Sequence, residues 1–173
     1  MSEQLEEESR ALVEDYILRY VGNERPQPPP PAAEALWQMA QEVHLENSAF
    51  FRSCAELDVE PCTILQRVAP EVALDGGLNW GRVIALIVFA GTLADRHKRR
   101  KAGTPRELAG VLGRFLAREH GDWLQRNGGW ECFQKFCNKK GNQQGQENSH
   151  FSNALMAAAG VGLAGIVFLL AVR

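Results

Sequence analysis

Apolar residues recur at three- and four-residue intervals through most of this chain, and nowhere does alternation persist long enough to suggest a strand. Leu5, Leu12, Val13, Tyr16, Ile17 and Tyr20 make one stripe and predict a first helix. Leu36, Ala40, Val43, Phe50 and Phe51 make a second, interrupted at Asn47. Ile64, Leu65, Val68 and Val72 mark a third, shorter helix, where Pro70 predicts a local distortion because it has no N–H to give the preceding turn. Glu107, Leu108, Val111, Leu112, Phe115 and Leu116 mark another. Its start is signalled by Thr104-Pro105-Arg106-Glu107, a capping-box Thr and Glu with proline at the first helical position.

Two segments break this amphipathic pattern. Val83–Ala94 (VIALIVFAGTLA) has Thr92 as its only polar side chain, which is too short for a bilayer and suits a helix buried on every side. A small protein that buries one helix completely must wrap it with others. The expected fold is therefore all-α, a helical bundle around a central apolar helix. Ala154–Val172 carries nineteen residues without a charge. As a helix it would span roughly 28 Å, about the hydrocarbon thickness of a bilayer, and it is expected to be a C-terminal transmembrane anchor inserted after synthesis. It contains Gly160-Val161-Gly162-Leu163-Ala164-Gly165, a match to the dinucleotide fingerprint that lacks the preceding strand and the later acidic residue. Frequent glycine in membrane helices explains it more plainly. Residues 138–153, rich in Asn, Gln and Gly, read as a polar linker, and the bundle is assigned to 1–137 with the anchor at 154–172. Pro26–Pro31 (PQPPPP) reads as an extended spacer between helices.

Charge adds an asymmetry. Residues 1–60 carry 4 Lys+Arg against 13 Asp+Glu, and residues 61–173 carry 15 against 8. Either the rear faces anionic lipid or the two halves attract each other within one fold. The run Arg96-His97-Lys98-Arg99-Arg100-Lys101 reads as a solvated turn or as a contact for anionic lipid. No secretory signal is visible in the acidic, core-free first residues, so Cys54, Cys62, Cys132 and Cys137 are expected to be reduced thiols. Their spacing does not suit zinc. His44, His97, His120 and His150 read as surface or helix-end residues without catalytic neighbours, so an enzyme is not expected. Neither metal, cofactor nor nucleic acid is implied.

Chemistry concentrates in two stretches. Asn79-Trp80-Gly81-Arg82 opens the central helix after Asp75-Gly76-Gly77, with Asn79 placed to cap it. Gly81 in the first turn costs up to about 1 kcal/mol against alanine. Arg82 sets a cation near the positive end of the helix dipole, unfavourable by about 0.3–1 kcal/mol. Two adjacent violations suggest a site: a glycine admits a close backbone, and an arginine fork grips a carboxylate. An internal pair with Glu71 or Asp75 is the alternative. In Asp122–Phe133 (DWLQRNGGWECF), Trp123 and Trp130 flank Gly128-Gly129, so two short helices should meet at a tight turn with their aromatics inward.

Together, NWGRVIALIVFAGTLA (Asn79–Ala94) and DWLQRNGGWECF resemble the first and second homology motifs of the Bcl-2 family, in the right order and at about the right separation. EESRALVEDYILRYVG (Glu7–Gly22) resembles the fourth, and the apolar tail sits where the family carries its anchor. The short proline loop, LDGGLNWGR and AAAGVGLAG look closest to the survival-promoting Bcl-B and Nr-13 branch. The resemblance implies a groove for the BH3 helix of death-promoting relatives, a helix-in-groove mode of which this family is itself a standard instance. Arg82 would meet the ligand's aspartate beside Asn79 and Gly81. Val43, Phe50, Phe51, Val68 and Val72 would form walls, and Ile84, Ala85 and Phe89 the floor. Trp80, Trp123, Gly128, Gly129 and Trp130 would be structural. The chain's own BH3-like stretch, Leu36–Glu42, has Gln41 where an aspartate is expected, which favours a groove owner over a donor. The implied location is the cytosolic face of the mitochondrial outer membrane, the endoplasmic reticulum or both. The rival reading is a membrane-permeabilising executioner on the same fold.

Overall fold

The computed structural model describes residues 2–55, 60–74, 77–96 and 103–141. Every regular element among them is helical: α1 (Ser2–Val21), α2 (Ala33–Glu46), α3 (Ser48–Ala55), α4 (Pro61–Leu74), α5 (Trp80–Arg96), α6 (Pro105–Arg114), α7 (Gly121–Arg126) and α8 (Gly129–Gly141). A π-helical turn, Phe115–Glu119, prolongs α6.

Helix α5 is the axis of the bundle, and α1, α2, α3, α4 and α6 all pack on it. Val83 to Ala90 are each no more than 1% exposed. Full burial of one large aliphatic side chain is worth about 1.5–3 kcal/mol, so this helix anchors the core. Thr92, its buried polar residue, turns its hydroxyl onto the Val88 carbonyl at 3.0 Å and so satisfies itself within the helix. The predicted capping box is present at α6: Glu107 N–H donates to Thr104 Oγ1 at 3.2 Å while Thr104 N–H donates to Glu107 Oε1 at 3.4 Å.

The stripe ending at Phe51 belongs to two helices. Asn47 donates its side-chain amide to the Val43 carbonyl at 2.9 Å and its backbone N–H to His44 O at 3.3 Å, which closes α2 and lets α3 leave in a new direction. Pro70 is exposed, and α4 runs through it to Leu74. Helix α8 continues to Gly141, so residues 138–141, expected in the linker, are helical. The rest of that linker, the apolar stretch 154–172, residues 97–101 of the basic run, and Asp75-Gly76 lie outside the described residues. No helix among those described is long and apolar enough to cross a membrane.

Polar clamps fix the long helix α1. Asp15, 2% exposed, interrupts an otherwise apolar stripe and receives both Nε (3.0 Å) and Nη2 (2.9 Å) of Arg25, strapping the proline loop back onto α1. Arg19 pairs with Glu34 at 2.9 Å and lies 4.3 Å over the Trp37 ring, which docks α1 on α2.

Candidate functional site

The first turn of α5 is built as its sequence predicts. Asn79 Oδ1 accepts from Arg82 N–H at 2.8 Å, capping the helix. Gly81 is buried within that turn. Arg82 is half-buried, and its Nη1 donates to the Gly77 carbonyl, so the guanidinium is held beside the loop that leads into α5.

Trp80, between Asn79 and Gly81, enters an aromatic cluster. Its ring lies 4.8 Å from Trp123, 5.9 Å from Trp130 and 5.0 Å from Phe133. Gly128 and Gly129, at φ +81° and +64°, make the turn that points α7 and α8 at this cluster. The two glycine-flanked tryptophans therefore brace the α5 first turn from below, which is packing, as their sequence context indicates. Trp130 also donates its indole N–H to buried Ser9 of α1 at 2.8 Å, and Ser9 donates to Leu5 O at 2.7 Å. Nothing in the spacing of Ser9 predicts that partnership, because it depends on the packing of α8 against α1.

The apolar groove candidates come together around α5, but in covered form. Val43, Phe51, Val68, Val72, Ile84, Ala85 and Phe89 are all buried, none more than 4% exposed, and all belong to the continuous core. Phe50 is half-buried and meets Phe51 edge-on at 5.0 Å. The residues expected to form walls and floor therefore lie together around α5, buried in the core.

A feature absent from the sequence reading joins this region to α1. His44 stacks on Phe51 (5.5 Å, 12° between planes), and its Nε2 lies 2.9 Å from Tyr20 Oη. Tyr20 in turn stands 6.1 Å from Tyr16, which packs on Trp37 at 5.5 Å. His44 is thus a half-buried residue in the last turn of α2, as a helix-end histidine was expected to be, but its ring also packs between α1 and α3, and burial depresses its pKa. The signal in the sequence was its place one turn from Ala40 on the buried face of α2. Burial pushes the thiols of Cys54 and Cys137 up to about 12 and, helped by Glu60, that of Cys62 to about 11. None of these three is poised as a thiolate nucleophile.

Residues 36–130 match the family profile described as apoptosis regulator proteins, Bcl-2 family. The chain belongs to the Bcl-2 family. The anti-apoptotic protein NR13 of Coturnix japonica is 44% identical to it over 98% of each chain. Among solved structures, the zebrafish pro-survival protein NRZ in complex with the Bad BH3 is 36% identical, covers 79% of this chain and 96% of that one, and gives a TM-score of 0.71. Ligand-free NRZ is 38% identical over 80% and 97%, with the same TM-score. The Bcl-2 fold and the Nr-13-like branch are therefore shown together, and the family acts by regulation of apoptosis and not by catalysis.

Proposed function

We propose that this protein is an anti-apoptotic regulator that binds the BH3 helix of death-promoting relatives against α2–α5, with Arg82 pairing the ligand's aspartate. The observation that carries the reading is its near full-length similarity to anti-apoptotic NR13, joined to the α5 first turn in which Asn79 and the Gly77 carbonyl orient a half-buried Arg82. The ligand carboxylate would exchange with contacts that Arg82 makes within the chain. Ligand side chains would enter by parting Phe50 from the covered row of Val43, Phe51, Val68 and Val72 above Ile84, Ala85 and Phe89. The chain's own BH3-like stretch supports the receptor role. Leu36, Met39, Ala40 and Val43 are buried in its core, so that face is committed internally.

Membrane attachment through 154–172, at the cytosolic face of the mitochondrial outer membrane or endoplasmic reticulum, belongs to the same proposal. It is supported by the uncharged length of that segment, and the basic run Arg96–Lys101 would lie against anionic lipid.

Titrating the Bad BH3 peptide against the wild-type chain and Arg82→Ala tests the binding role. Loss of a charge-assisted pair should weaken binding about 10- to 100-fold. Equal affinities would remove Arg82 from the site. Added to dye-filled liposomes with the same peptide, the protein should cause no release; release would establish the executioner reading instead.

A further inference from the structure

The proline loop does more than join α1 to α2. Because Arg25 holds it down on Asp15, the loop stands beside α1 and the start of α8 and encloses a cleft of about 810 Å³. That volume lies within the usual range for ligand sites, about 300–1,000 Å³. Its apolar surface comes from Ala11 and Leu12, the prolines 28–31, and Trp130. None of the residues assigned to the BH3 groove lines it.

The polar groups of the cleft are one-sided. Glu8, Glu14 and Glu131 line it with a single cation, Arg10. That guanidinium is already gripped by Glu7 and by Glu14, the latter at 2.6 Å. Among the described residues, Glu8 receives only the neutral Gln4 amide, at 3.0 Å. Glu131 meets Lys135 at 3.5 Å with both side chains mostly in water, a pair that solvent screens heavily. The opening is therefore negative over an apolar floor, and the walls are stiff, because prolines and packed helices lose little freedom when a ligand arrives.

We propose that this cleft is a second docking site, for a partner's short cationic segment with an apolar centre. An aliphatic side chain would seat against the prolines and Trp130, and a flanking lysine or arginine would reach Glu8 and Glu131. The carboxylates repel phosphate-bearing ligands and so disfavour nucleic acid or an anionic lipid surface. They suit a basic peptide. A domain that reads extended proline runs is a different partner for the same loop. It is disfavoured because Arg25, the cation flanking the run, is committed to a buried carboxylate.

The test uses the full chain labelled with 5-fluorotryptophan, which places one fluorine on each of its four tryptophans. Three ten-residue peptides share an alanine–leucine framework and differ at two positions, which are both Lys, both Gln or both Glu. The lysine peptide should move the Trp130 resonance most and leave Trp37 unmoved, the glutamine peptide should bind more weakly and the glutamate peptide not at all. The double substitution Glu8→Gln, Glu131→Gln should weaken the lysine peptide about fivefold, and saturating Bad BH3 peptide should not displace it. Absence of lysine-peptide binding, equal binding of all three, indifference to the double substitution, or competition by the Bad peptide would each overturn the proposal. So would capture of the loop by an isolated SH3 domain that Pro29→Ala abolishes while the lysine peptide leaves Trp130 unmoved.

Discussion

Gly110 and Gly113 lie three residues apart on α6, and the structure predicts opposite outcomes for the same substitution. In a helix interior, alanine in place of glycine contributes up to about 1 kcal/mol by restricting the unfolded chain and favouring helix. At Gly110 nothing lies within 4 Å of an added Cβ, so that gain should appear nearly whole. At Gly113 the added Cβ would stand 3.1 Å from Arg10 Cβ and 3.2 Å from its Cα and N. Those atoms are at the root of α1 and cannot swing aside as a side-chain tip could. The helix itself must retreat by a few tenths of an ångström along its seam with α6. Overpacking of this kind costs about 1–3 kcal/mol, which exceeds the propensity gain and leaves a net loss of about 1 kcal/mol. Urea denaturation of both variants should therefore place them about 2 kcal/mol apart on either side of wild type. Melting temperatures should separate by roughly 4–8 °C. If Gly113→Ala stabilises as much as Gly110→Ala, the α1–α6 approach is not limited by the Arg10 backbone and the reasoning fails.

Three further outcomes follow from the geometry. Arg25→Gln leaves the buried Asp15 carboxylate without its guanidinium and should destabilise by about 2–4 kcal/mol, with the Asp15→Asn, Arg25→Gln double variant recovering part of it; equal unfolding curves for the single variant and wild type would show that the strap is idle. Asn79→Ala removes the α5 cap and should cost about 1 kcal/mol in denaturant unfolding, whereas no change would mean that water caps the helix as well. Burial holds the imidazoles of His44 and His120 below the ordinary value of 6.5, so on acidification the unfolded chain takes up these protons first. Their contribution to stability is complete above about pH 6.5 and is lost as pH falls from there through their lower folded-state values. Denaturation curves from pH 7.5 to 5 should show the decline, and His44→Gln should make it shallower; a slope unchanged in that variant would exclude His44 as a source.

Helix periodicity, the apolar run of α5 and the signals at Asn79, Thr104 and Gly128-Gly129 are local properties, and a local property can be read wherever its residues are neighbours in the chain. They were enough to determine an all-helical bundle, its central helix, its capped starts, the aromatic turn and the resemblance of Asn79–Ala94 to a family motif. Arg82 stood out for the same reason, since its conflict with the helix dipole is visible one turn from the helix start. What pairs across the bundle was not legible. Asp15 finding Arg25, Ser9 finding Trp130, His44 wedged between Tyr20 and Phe51, and Gly113 pressed on Arg10 all depend on how far apart and at what angle helices settle. The closure of Val43, Phe51, Val68 and Val72 over α5 is of this kind as well. Amphipathic spacing says which face of a helix avoids water, but only the packed bundle decides whether that face meets a neighbour or waits for a ligand.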